Sequence, residues 1–118
     1  GTFDLLLGSP YRSAFKKNTV LFVENCFGSA GDDTTFLREL QALAYQPDFI
    51  NVKAVVIGRF QKASEISREK LEYIVNSIPQ LKELPVIANV DFGHTTPMLT
   101  LPIGGRCEIT SDGIQVQI

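Results

Sequence analysis

Residues 84 to 105 read LPVIANVDFGHTTPMLTLPIGG. The first part, Leu84 to Val90, is an apolar and β-branched run of strand length, with Pro85 tolerable at its start. It breaks at Asp91-Phe92-Gly93-His94, passes through Thr95-Thr96-Pro97 and resumes as a second apolar run, Met98 to Ile103. Before the break the chain alternates strand and helix. After it come short runs with tight connections, so this stretch divides a parallel region from an antiparallel one. His94 is the single histidine of the chain and falls where the strand gives way to a loop. An imidazole there can face solvent or a ligand. The plainer alternative is a loop histidine without a role, or one that caps a strand end.

Upstream, Thr19 to Val23 (TVLFV) is continuous, β-branched and aromatic, which predicts a strand buried on both faces. After a glycine-containing loop, Asp32 or Asp33 is suited to cap a helix. Phe36, Leu37, Leu40, Leu43 and Ala44 then recur at helical spacing, and Pro47 closes the segment. Val52 to Ile57 predicts a second strand, ended by Gly58-Arg59-Phe60. Ser67 caps a second helix whose buried face is Leu71, Ile74, Val75 and Ile78, and Pro79 stops it.

Strand, helix, strand, helix, strand implies two right-handed crossovers and a three-stranded parallel βαβαβ sheet. Past His94, the runs Met98 to Leu101, Arg106 to Thr110 and Gly113 to Ile118 predict short antiparallel strands. Gly104-Gly105 and Asp112-Gly113 supply the turn signals. Ile114, Val116 and Ile118 alternate with Gln115 and Gln117, giving that last strand one wet face. The fold class is therefore α/β with a C-terminal antiparallel extension.

The 118 residues suit one domain, and 44% hydrophobic residues suffice for a core. A net charge of −2 argues against a nucleic-acid or anionic-membrane surface. No apolar run reaches bilayer-spanning length. Two cysteines, Cys26 and Cys107, form no C-x-x-C pair; with one histidine, neither a zinc site nor another metal centre is expected. Two reduced thiols in a cytoplasmic protein are the expectation. The opening, Phe3 and Leu5 to Leu7 before Gly8 and Pro10, reads as the end of a helix cut from a larger protein.

Parallel strands place their carboxyl ends at one edge, where open α/β sheets bind ligands. That edge gathers Glu24, Arg59 and the segment Asp91 to His94. A carboxylate beside an imidazole fixes its tautomer and stabilises the imidazolium formed when the base takes a proton. Glu24 leaves an apolar strand and needs a partner; His94 is one, a salt bridge to Arg59 or plain solvent the others. Arg59 has the planar fork to orient a substrate carboxylate, or pairs with Glu24 or Asp91. Thr95, Thr96 and Asp91 are expected to hold the histidine loop by local side-chain to backbone bonds.

F-G-H-T-x-P followed by T-L-P-I-G resembles the C-terminal domain of the LD-carboxypeptidase serine peptidases. Its Thr-Thr-Pro variant is most similar to the branch that includes the microcin C self-immunity peptidases. Leu21-Phe22-Val23-Glu24 and Ile57-Gly58-Arg59-Phe60 also fit, so the resemblance runs along essentially the whole chain. It implies a swivelling β/β/α domain, with residues 1–118 as the C-terminal domain of a two-domain peptidase. It implies His94 as triad base and Glu24 as the triad carboxylate, with no cofactor. The triad serine and the oxyanion-hole amides would come from an N-terminal domain.

The implied activity is hydrolysis of an LD-peptide bond in muropeptides, a step of peptidoglycan recycling, or of a peptidyl or aminoacyl nucleotide. The implied partners are that N-terminal domain, the substrate and a second copy in a homodimer. Ser9, Ser13, Ser29, Ser64, Ser67, Ser77 and Ser111 lie in no G-x-S-x-G elbow, so the 118 residues alone are expected to be inactive. Cys26, two residues past Glu24, is the one alternative nucleophile. A non-catalytic docking or oligomerisation module is the competing function. Specificity would depend on the loops between Asn25 and Asp33 and between Phe60 and Ser67.

Overall fold

The three apolar runs form parallel strands β1 (Thr19–Val23), β2 (Val52–Gly58) and β3 (Val86–Val90) in the computed structural model, which describes residues 1–26 and 28–118. The sheet order is β1-β2-β3. β1 runs alongside β2 from Thr19↔Val52 to Val23↔Ile57, and β2 alongside β3 from Val55↔Val86 to Gly58↔Val90. Helices α1 (Asp32–Ala44) and α2 (Arg68–Asn76) make the two crossovers. Both crossovers advance the same way across the sheet, so a common right hand puts both helices on one face.

The main core lies between that face and the helices. Phe36, Leu40 and Leu43 of α1, Leu71 and Ile74 of α2, and Val55 and Ile57 of β2 form one buried cluster. Leu21 and Val23 of β1 and Val86 and Ala88 of β3 pack against it. Side chains alternate along a strand, so Phe22, Ala54 and Val56 point to the opposite face. Ala54 and Val56 are buried there as well, which is why β2 is continuously apolar from Ala54 to Ile57, with Lys53 its one exposed residue. β1 carries an equally apolar sequence but is an edge strand, and all five of its residues are only half-buried. The expectation of burial on both faces therefore fails for β1: run composition does not reveal sheet order.

The helix ends follow local chemistry. Ser67 caps α2, accepting the Lys70 N–H at 3.3 Å, as the sequence predicts. At α1 the cap position is Gly31, at φ +94°, and Asp32 is already the first helical residue. The Asp32 carboxylate instead accepts the Ser29 N–H at 3.0 Å and the Ser29 hydroxyl at 3.2 Å. It thus fixes the entry loop rather than capping the helix.

Residues Asp4–Leu6 form a single 3-10 turn in place of the expected helix end, with Leu5 exposed and Leu7 packed on the core. The following segment is pinned to a second 3-10 turn, Pro47–Asn51. Asp48 accepts from the Phe15 N–H at 2.7 Å and from the Arg12 guanidinium. Asn51 donates to the Phe15 carbonyl at 2.9 Å, and the Phe15 and Phe49 rings meet edge-on at 6.0 Å.

Strands β4 (Arg106–Thr110) and β5 (Gly113–Gln117) form an antiparallel hairpin in register from Arg106↔Gln117 to Thr110↔Gly113. Cys107, Ile109, Ile114 and Val116 are half-buried, while Arg106, Glu108, Gln115 and Gln117 face solvent. Met98 to Leu101 is not a strand. It is an irregular arm bounded by Pro97 and Pro102. The turn at Gly104, where φ is +79°, leads from this arm into β4. No helix is long and apolar enough to cross a membrane among the described residues.

Candidate active site

Each parallel strand hands over a polar residue at its carboxyl end: Glu24 after β1, Arg59 after β2 and Asp91 after β3. His94 follows three residues beyond Asp91. Its Nδ1 lies 2.8 Å from Glu24 Oε2, joining residues 70 positions apart. With its proton on Nδ1 the imidazole donates to the carboxylate, which leaves Nε2 as the nitrogen able to take a proton. The His94 side chain is 54% exposed and that of Glu24 30%, so the pair stands at an open surface rather than inside a cavity.

Two glycines permit this approach. A Cβ on Gly93 would stand 2.8 Å from Glu24 Oε2 and 3.0 Å from Glu24 Cβ, and the residue sits at φ +99°. A Cβ on Gly58 would stand 2.7 Å from the Phe92 carbonyl oxygen and 3.0 Å from Glu24 Cβ. Any larger residue at either position would wedge Glu24 away from the histidine loop. Neither requirement is visible in the sequence beyond the presence of glycine at a strand end.

Arg59 pairs with Asp91 and not with Glu24. Its Nε and Nη2 donate to the same carboxylate oxygen, Oδ1, at 3.0 and 2.5 Å. The Asp91 carbonyl accepts the Leu99 N–H at 2.8 Å, closing the base of the loop that carries His94. Gln61, which the sequence did not single out, donates from Nε2 to the His94 carbonyl at 3.3 Å. The Phe92 ring anchors the loop from below, packing edge-on against Phe22 at 5.5 Å. The threonines hold the loop less than expected. Thr95 Oγ1 is buried without a hydrogen-bond partner among the described residues.

No serine hydroxyl is hydrogen-bonded to His94 among the described residues. Ser29 is taken up by Asp32, Ser64 by the Gln61 carbonyl and Ser77 by the Tyr73 carbonyl. Cys26 is exposed and Cys107 half-buried, and neither forms a disulfide. Burial pushes the Cys107 thiol pKa up, which keeps it protonated and unreactive. The expected specificity loop from Asn25 to Asp33 includes Phe27, which lies outside the described residues. A group of three or more His, Cys, Asp or Glu side chains that could hold a metal ion is absent among the described residues. The arrangement can orient an imidazole and transfer a proton.

Known proteins share this geometry's framework. A putative carboxypeptidase of Treponema pallidum (strain Nichols) is 44% identical over 111 residues, covering 94% of this chain and 32% of its own length. The putative carboxypeptidase YocD of Bacillus subtilis (strain 168) is 42% identical over 108 residues, covering 92% and 32%. The microcin C7 self-immunity protein MccF of Escherichia coli is 27% identical over 118 residues, covering 99% and 33%. The chain thus spans about a third of the length of the relatives it matches.

Among solved structures, an MccF-like protein from Bacillus anthracis superposes with a TM-score of 0.86 at 38% identity, covering 98% of this chain and 36% of that one. A muramoyltetrapeptide carboxypeptidase from Oxalobacter formigenes gives 0.71 at 25% identity, covering 98% and 41%. Residues 1–109 match the LD-carboxypeptidase C-terminal domain, and the chain belongs to that family.

Proposed function

We propose that this chain is the C-terminal domain of a two-domain serine carboxypeptidase and supplies the glutamate and histidine of a Ser-Glu-His triad. The observation that carries the reading is the 2.8 Å contact between Glu24 Oε2 and His94 Nδ1 at the carboxyl edge of the sheet, with no serine hydroxyl bonded to His94 among the described residues. Glu24 orients the imidazole and stabilises its protonated form. His94 Nε2 takes the proton of a serine hydroxyl delivered by an N-terminal domain, passes it to the leaving amine, and then activates the water that releases the acyl group. The oxyanion hole belongs to the same missing partner. Arg59 meets Asp91 through Nε and Nη2, which leaves Nη1 as the donor for a substrate carboxylate.

The substrate is an LD-peptide of the muropeptide type, within peptidoglycan recycling, or a microcin C-type peptidyl nucleotide. The protein acts in the cytoplasm, without a cofactor, as a homodimer. The names of the relatives support a carboxypeptidase; the open, serine-free dyad supports a division of the triad between two domains.

The isolated 118-residue chain is expected to show no hydrolysis of LD-peptides or of peptidyl nucleotides, and the longer polypeptide containing it is expected to cleave one of them. Turnover by the pure chain, abolished by Cys26→Ala, would replace the serine reading with a thiol one. Absence of any peptidase activity in the longer polypeptide would favour the docking module instead.

A further inference from the structure

Asp91 occupies a position that neither the dyad nor the substrate arginine explains by itself. Its carbonyl accepts the Leu99 N–H at 2.8 Å, which ties together the two ends of the loop bearing His94. Its carboxylate accepts both Nε and Nη2 of Arg59 on one oxygen. Arg59 is fixed in turn, since its own N–H donates to the Val90 carbonyl at 3.0 Å and extends the parallel ladder one step past β2 and β3. The pair therefore joins the end of the central strand to the root of the histidine loop.

Two more contacts make the loop's position depend on that root. Gln61, two residues beyond Arg59, donates to the His94 carbonyl at 3.3 Å. Gly93 lies close enough to Glu24 that an added Cβ would stand 2.8 Å from Glu24 Oε2, so the loop passes directly over the carboxylate that His94 bonds.

We infer that Asp91 is a positioning residue: through Arg59 its carboxylate holds the root of the loop so that His94 stands at bonding distance from Glu24, and it takes up the Nε and Nη2 edge of the Arg59 fork. One carboxylate thus couples the placement of the base to the placement of the substrate-binding cation. The second half of that statement rests on the function proposed above; the first half does not. The Arg59 and Asp91 side chains are 42% and 35% exposed, so the pair is open to screening and its effect is one of orientation more than of stability.

The 118-residue chain itself serves for the test, by ¹⁵N chemical shifts of the His94 ring, which report the tautomer. The unsubstituted chain is expected to hold the proton on Nδ1. Asp91→Ala and Arg59→Ala should each shift His94 toward a mixture of tautomers, and Arg59→Lys should not restore the Nδ1 form, because a point charge cannot reproduce the fork. Asp91→Asn, which keeps the size and one acceptor oxygen, guards against loss of fold and should give an intermediate shift. An Nδ1-protonated fraction in the folded alanine variants equal to that of the unsubstituted chain overturns the inference.

In the longer polypeptide, Asp91→Ala should lower kcat by on the order of a hundredfold, the scale set by a small misplacement of a catalytic group, and raise KM as well. A change in KM alone would reduce Asp91 to a partner of the substrate arginine. Because the ring shifts need no turnover, they can fail while the triad stands, and the reverse.

Discussion

A methyl group on Gly93 would have to occupy the space held by the Glu24 carboxylate, 2.8 Å away, and at φ +99° the backbone itself disfavours any side chain. Gly93→Ala is therefore expected to break the Glu24–His94 bond and to destabilise the domain by about 1–3 kcal/mol. Thermal unfolding measures the second effect and the ¹⁵N shifts of His94 the first; an unchanged Tm with the bond intact would show that the loop can yield. That Glu24 and His94 share one edge was legible in the sequence, because parallel strands bring their carboxyl ends together whatever the separation along the chain; that they pair was implied by the family resemblance alone. The choice that Arg59 makes between Glu24 and Asp91 was not legible. It depends on the path of the loop over Gly58, where a Cβ would meet the Phe92 carbonyl at 2.7 Å, and glycine in the sequence does not say what will approach it.

The parallel strands and their two helices are the elements that hold the Glu24–His94 edge in place. Leu40 of α1 is 1% exposed and lies in the central cluster. Leu40→Ala should cost about 2–5 kcal/mol, read from denaturant unfolding; a cost under a quarter of that would mean the cluster collapses around the gap. The segment before β1 is held by Asp48. Burial pushes its pKa up, but the hydrogen bonds from Arg12 and from the Phe15 N–H outweigh burial and hold it below the ordinary value.

A carboxyl whose pKa is lowered by folding stabilises the fold above its unfolded pKa, and the contribution disappears as pH falls through the folded value. Asp48→Asn should therefore be less stable than the parent chain at neutral pH, and the gap should narrow below about pH 4, where an unfolded aspartate takes up its proton. A gap that stays constant with pH would contradict this. The periodicity of α1 and α2 and the span of β1 could be read directly from sequence. The edge position of β1 could not, since β1 and β2 are equally apolar runs and only sheet order distinguishes them. Nor could the irregular arm at Met98 to Leu101, where the apolar run resembles a strand and finds no pairing partner among the described strands.

At the scale of the whole molecule, several large apolar side chains lie open at the surface. Leu5 is 82% exposed, Met98 66%, Leu99 63% and Ile103 fully so. Phe3, Leu5 and Leu6 at one end and the arm after His94 at the other are suited to burial against another chain or domain. The 118-residue chain is expected to self-associate at micromolar concentration, which sedimentation would show as a species heavier than 13.0 kDa. A strict monomer would weaken the proposal that a partner surface has been left bare.

The most direct test of a triad divided between domains is the turnover of an LD-peptide by the longer polypeptide carrying Glu24→Gln, His94→Ala or both. Each single change is expected to lower kcat by roughly a thousandfold or more. The double change should be hardly worse than the more damaging single one, because the members of a triad act as a unit. Near-normal turnover in either single variant, or losses that multiply in the double, would contradict it.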